Sequence, residues 1–147
     1  MNKQHIRQVM LGLEADGLKA TMDAYREYFA SARLDRSEPV EIDEHAQAVF
    51  ARELAEAVDQ PVHDHTENLD KLRNADFGPK SVVEEGAVVR IGGRNLVVAV
   101  PTATFVCDGE EFMGISARAP IFDAMQGKRA GESFRFNGRD MVVEFIA

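Results

Sequence analysis

The chain has no tryptophan, two tyrosines, five prolines and one cysteine. A lone Cys107 has no partner for an internal disulfide, which fits a reducing compartment. No apolar run is long enough to cross a bilayer. The opening residues, M-N-K-Q-H-I-R-Q, lack the apolar centre of a secretory signal. These absences set the expectation of a cytoplasmic protein with no membrane partner. Basic residues are also scarce where acids are dense. Of the net charge of −8, nearly all belongs to the first half: residues 1–76 carry 16 acids against 9 bases, and residues 77–147 carry 9 against 8. That balance excludes broad binding to a duplex phosphate backbone and leaves a basic protein channel or a metal as the partner of the acidic half. There is no internal repeat and no low-complexity segment. With 147 residues, 45% of them hydrophobic, the chain can hold one domain or two small ones.

Residues 3 to 34 carry the spacing of one long helix. Ile6, Val9, Met10 and Leu13 fall in three- and four-residue steps, and Leu18, Met22, Tyr25, Phe29 and Ala32 continue them. About 30 helical residues make a rod of about 45 Å, longer than a small domain needs. Gly12 and Gly17 weaken its first part and mark a possible shift of register. A second helix is expected from Asp43, a good N-cap type, with the stripe Ala46, Val49, Phe50, Leu54, Ala57 and Val58. Pro61 predicts an interruption near Gln60, after which Leu69 and Leu72 resume the stripe. His63-Asp64-His65 follows that break. Histidines two apart do not share a helix face, so solvated polar residues are the better account than a metal site.

Between the two helices the acids crowd. Asp35, Glu38, Glu41, Asp43 and Glu44 surround Pro39. We read this as the tip of a helical hairpin that turns at Ser37–Pro39. Like charges on one turn repel, so stability does not explain them. A solvated turn is the plain account; the sharper one is a cluster that draws in a cation or shifts its own pKa values.

Phe77-Gly78-Pro79 ends the helical part and sets a domain boundary, giving 1–76 as the hairpin and 77–147 as a β-rich domain. Val82–Ile91 and Asn95–Val100 read as strands joined at Gly92-Gly93, the second of them buried on both faces. Pro101–Cys107 continues extended into a hairpin turn at Asp108-Gly109. Pro120–Gln126 reads as a short helix opened by proline and closed by Gly127. Ser133–Phe136 and Met141–Ile146 read as strands around Asn137-Gly138. The fold class is therefore α+β: an N-terminal antiparallel helical hairpin, then a small antiparallel β domain with one short helix. Phe105, Phe112, Phe122, Phe134 and Phe136 are expected in its core, and Cys107 is expected to pack rather than react.

Two stretches resemble the bacterial transcript-cleavage factors of the Gre type. The family's tip reads approximately D-L-S-E-N-A-E-Y followed by A-A-R-E; here Glu41–Ala48 reads E-I-D-E-H-A-Q-A, with Ala51-Arg52-Glu53 beyond it. The second stretch is the more specific. The family reads roughly I-S-x-x-S-P-I-A-x-A-L-x-G-K-x-x-G-D, and Ile115–Glu132 reads I-S-A-R-A-P-I-F-D-A-M-Q-G-K-R-A-G-E. Ser116, Pro120, Ile121, Ala124, Gly127, Lys128 and Gly131 fall in place.

The resemblance implies an FKBP-like C-terminal domain that docks on bacterial RNA polymerase at its secondary channel, with Ser116, Arg118, Pro120 and Lys128 as contacts. It implies a monomeric accessory factor, not an enzyme. The hairpin tip would enter the channel of a backtracked complex, where the polymerase cuts the extruded RNA 3′ end. Glu41 and Glu44 stand at the positions of the family's two essential acids. They would hold a Mg²⁺ shared with the polymerase, no cofactor being bound stably by the factor alone. Hydrolysis by two metals needs a second ion and an oriented water, and Mg²⁺ takes one or two carboxylates while keeping several waters. The tip also departs from the family. Glu41 replaces an aspartate, Asp43 is an additional acid able to take the metal role, His45 replaces an asparagine and Ala48 a tyrosine. An acid displaced by about 1 Å can cost about 10²-fold in rate. Two readings therefore stand: a factor that promotes cleavage, or a channel-binding regulator that does not. Prolyl isomerase activity is a third, disfavoured by the lack of Trp and Tyr in the second half.

Overall fold

The computed structural model describes residues 1–34 and 60–147, with side-chain surroundings for residues 1–27 and 60–147. The expected turn at Ser37–Pro39, the Asp43 cap and the stripe from Ala46 to Val58 lie outside the described residues.

Helix α1 spans Lys3–Leu34, the bounds the periodicity predicts. Its 32 residues make about 48 Å at the usual rise. The Asn2 side-chain oxygen accepts from the His5 N–H at 3.1 Å, satisfying a donor that the first turn leaves open. Helix α2 is described over residues 60–74. Gln60 and Pro61 are both helical there, and what precedes them lies outside the described residues.

By contacts the chain forms two units, one of Met1–Leu11 with Asp70–Ala147 and one of Gly12–Leu69. The first unit is built on a five-stranded sheet of β1 (Val88–Ile91), β2 (Arg94–Ala99), β3 (Phe105–Cys107), β4 (Glu110–Ser116) and β7 (Phe145–Ile146). Its order is β3-β4-β2-β1-β7. Helix α3 (Pro120–Met125) and a ribbon of β5 (Ser133–Phe136) and β6 (Arg139–Val142) complete the unit. Antiparallel pairs dominate, as the fold class predicts, but β2 and β4 are parallel, with Val97 opposite Gly114. The chain reaches that pairing because β3 crosses to the far side of β4, where Cys107 faces Glu110 across the two-residue Asp108-Gly109 loop. Asp108 and Gly109 have φ of 52° and 80°, the left-handed pair that matches the twist of a tight hairpin.

Alternation along β1 and β2 splits the core into two layers, as expected for strands buried on both faces. Val88, Val97 and Ala99 face one layer with Ile6, Met10, Leu72, Phe77, Phe105 and Phe112. Val89, Ile91, Leu96 and Val98 face the other with Ile115, Phe122, Met125 and Phe134. Each such side chain taken from water contributes about 1.5–3 kcal/mol. The first turns of α1 are therefore part of the sheet's core. They are fixed further by Arg7, which donates to the carbonyls of Leu72 (2.8 Å) and Arg73 and lies over the Phe77 ring at 5.4 Å. Lys3 Nζ donates to the carbonyls of Gly78 (2.6 Å) and Ala147 (3.0 Å). At Gly114 an added Cβ would lie 2.2 Å from the Val100 carbonyl oxygen and 2.9 Å from Met10 Cε, so only glycine lets the chain pass here.

Two strands come out shorter than their sequence patterns predict. Val82 makes only an isolated bridge to Arg129, because Gly86, at φ 87°, turns the chain before β1 begins. The run Met141–Ile146 divides into β6 and β7 in different sheets. At the division, Val143 N–H donates to the Glu132 carbonyl and Glu144 N–H to that of Arg90.

In the second unit α1 and α2 meet at Glu14 and His65. The Glu14 carboxylate, 6% exposed, lies 2.8 Å from His65 Nδ1. Gly17 faces the imidazole, and a Cβ there would stand 2.7 Å from His65 Cε1. His63 takes a different partner, Glu67, at 3.8 Å. The two histidines thus point to separate carboxylates, as their spacing predicts.

Candidate functional site

Glu41, Asp43 and Glu44 lie outside the described residues, so no geometry attaches to the acidic tip. The second candidate stretch is fully described. β4 ends at Ser116, whose hydroxyl oxygen accepts from the Arg118 N–H at 3.1 Å. That bond closes a small turn and presents Arg118 to solvent. Pro120 then opens α3, where its fixed φ and missing N–H cost nothing. Phe122 and Met125 are buried, with Ile121 and Ala124 packed against the same layer. Gly127, at φ 77°, ends the helix. Lys128 follows; its carbonyl accepts from Val83 N–H at 2.8 Å, tying the turn to the segment before β1. Glu132 closes the stretch by accepting from the Arg129 N–H at 3.1 Å.

Ser116, Arg118 and Pro120 therefore share one turn, and Lys128 sits beyond α3, about 9 Å of helix away. The apolar members of the motif are core. Its glycines and proline shape the backbone. The polar members remain on the outside or at its margin. The motif is a scaffold that holds a short surface, not a catalytic pocket.

A different cluster forms at the opposite end of β4, and no motif in the chain announces it. His5 Nδ1 lies 2.9 Å from Asp108 Oδ1, across 103 residues of chain. Cys107 Sγ lies 3.8 Å from Asp108 Oδ2. Burial, with the Asp108 carboxylate beside it, pushes the Cys107 thiol above its ordinary pKa. Cys107 and Asp108 border a cleft of about 340 Å³ that Arg90, Glu110 and Phe145 also line. Cys107 packs in the core as expected. The Asp-Gly turn was legible in the sequence; the return of His5 to it was not.

No family model matches the chain, and no curated relative matches it. Solved structures align along nearly its whole length at low identity. GreA factor homolog 1 (Gfh1) of Thermus thermophilus is 20% identical, covering 96% of this chain and 92% of its own, with a TM-score of 0.35. A structure described as the transcription factor Gfh1 is 21% identical, covering 95% and 90%, with a TM-score of 0.33. Gfh1 of Thermus aquaticus is 20% identical over 95% and 90%, with a TM-score of 0.31. Likeness of this degree leaves the function to be argued from the residues.

Proposed function

We propose that the chain is a Gre-like transcription factor that binds bacterial RNA polymerase in the cytoplasm, as a monomeric accessory protein and not an enzyme. The observation that carries this reading is the stretch Ile115–Glu132. Ile115 and the seven positions named above match the family's pattern, and most have a physical role that can be named. Pro120 starts a helix, Gly127 ends it, Ile121 and Ala124 fill the core, and Ser116 and Lys128 frame the surface. The surface of Ser116, Arg118, Pro120 and Lys128 is the docking face. A helix as long as α1 suits a part that reaches into a deep channel. Among the described residues no helix is long and apolar enough to cross a membrane.

The tip acids Glu41 and Glu44, with Asp43 between them, act on the polymerase's own RNA cleavage. The carboxylates of Glu41 and Glu44 supply oxygen ligands to a second Mg²⁺ shared with the polymerase active site, a hard cation suited to such donors. The second reading, a channel-binding regulator that obstructs, is favoured by one feature: Glu41 is a methylene longer than the family's aspartate.

The test adds the full chain to a stalled, backtracked bacterial polymerase. Short 3′ RNA products that vanish with Glu41→Ala or Glu44→Ala support the cleavage role. Slowed elongation without products supports the obstructing one. A chain that does not bind polymerase, or that binds equally well after Arg118→Ala with Lys128→Ala, overturns the docking surface and the reading with it.

A further inference from the structure

We infer that His5, Cys107 and Asp108 form a binding site for a borderline divalent cation, Zn²⁺ foremost, with its remaining coordination position open to the adjoining cleft. One donor atom from each lies within 4.8 Å of the other two, and among the described residues theirs is the sole such grouping of His, Cys and acidic side chains. Ligand atoms on a tetrahedral Zn²⁺ sit about 3.5 Å apart given its usual bond lengths. His5 Nδ1 lies 2.9 Å from Asp108 Oδ1 and Cys107 Sγ 3.8 Å from Asp108 Oδ2, so the two oxygens of one carboxylate meet the other two ligands at distances on either side of that value. Rotation about side-chain bonds closes the difference.

The donor set decides the metal. A thiolate and an imidazole disfavour Mg²⁺ and Ca²⁺, which take oxygen, and favour Zn²⁺ or a similar ion. Three protein ligands with one open position is the arrangement of sites that keep a water or an exogenous ligand. The cleft supplies the space, and Glu110 of the same hairpin lines it.

Each ligand is held in place by local structure. Asn2 caps the turn that carries His5. Cys107 is fixed in the β3–β4 ladder opposite Glu110. Asp108 occupies a left-handed position, φ 52°, on a two-residue loop. The three come from a helix start, a strand end and a turn, so binding would cross-link α1 to the hairpin. On binding, the Cys107 thiol gives its proton to solvent and the S–metal bond takes its place. The inference is independent of the polymerase reading, since it involves neither the docking face nor the tip.

The experiment uses the full chain, stripped with chelator, and titrates Zn²⁺ by calorimetry and Co²⁺ by absorption. The expected result is one saturable equivalent, a thiolate-to-Co²⁺ charge-transfer band, and a Zn²⁺-dependent rise in Tm. Cys107→Ser removes the band. His5→Gln and Asp108→Asn, both at half-exposed or exposed positions, test the site without opening the core. Each should weaken binding at least about tenfold, with unfolding in urea nearly unchanged when metal is absent. Absence of saturable binding overturns the proposal. So does binding that survives all three substitutions, which would place the cation elsewhere on the chain.

Discussion

Two parts of α1 carry similar apolar spacing and meet different fates. In the first turns Ile6 and Met10 are fully buried against the sheet. Farther on, Leu13 and Met22 are 41% and 43% exposed, while Glu14, beside Leu13, is buried. Each part also encloses one ionisable group. Lys3 is held by two carbonyls, and Glu14 by an imidazole. The contrast teaches that spacing declares a helix but does not say which of its faces finds a partner. The buried line runs Ile6, Met10, Glu14, in steps of four. It passes near Gly17, where the missing side chain makes room for His65.

The strongest way to sharpen this contrast is to cut a methionine out of the packed end. Met10→Ala should destabilise by about 2–5 kcal/mol, because the sheet cannot collapse into the space. Urea unfolding followed by circular dichroism gives the number. A loss near zero would mean that the first turns of α1 do not belong to the core. Next in size is the polar pair. His65→Ala leaves the Glu14 carboxylate buried without its partner and should cost about 1–3 kcal/mol. Pairing it with Glu14→Ala should recover part of that loss, which a double-mutant cycle would detect.

A smaller effect comes from Lys3. Burial, helped by the charge of Lys80, lowers its pKa to about 8, against the opposing pull of Asp76 and Glu84. Its ordinary value is 10.5. Between those two values the unfolded chain holds a proton that the folded chain lacks, so this group makes stability rise with pH across that window. Below the lower value both states are protonated, and the folded state carries the cost of the enclosed ammonium. The stability of the native chain relative to Lys3→Met, followed by urea unfolding from pH 7 to 10.5, should therefore rise with pH. A fall would mean that the two carbonyls outweigh burial in governing the ammonium. The least effect is expected at Leu13→Ala, within about 0.5 kcal/mol of the native chain. A large loss there would erase the contrast altogether.

Local chemistry wrote much of this architecture into the sequence. The bounds of α1, the Pro120 start of α3, and the turns at Gly92-Gly93, Asp108-Gly109 and Asn137-Gly138 all follow from neighbours along the chain. What escaped depends on distant partners. The parallel pairing of β2 with β4 needs β3 to cross over, which no local pattern encodes. The chain passes from one sheet to the other at Val143-Glu144, whose successive amides donate to the distant carbonyls of Glu132 and Arg90. Of the candidate docking residues, Pro120 was legible as a helix start, and Ser116 owes its pose to the Arg118 amide. The His5–Cys107–Asp108 grouping joins residues with no shared periodicity or motif.

The pairing of β1 with β7 has a consequence for synthesis. Val89 waits for Ile146 across nearly sixty residues, and Lys3 waits for Ala147 across 144. A nascent chain can coil its leading helix while still threaded through the ribosome. It cannot seal that edge of the sheet until the last of these residues has emerged. Until then β1 offers an open ladder to any passing strand, so the interval between the synthesis of β1 and that of β7 is one of exposure to aggregation.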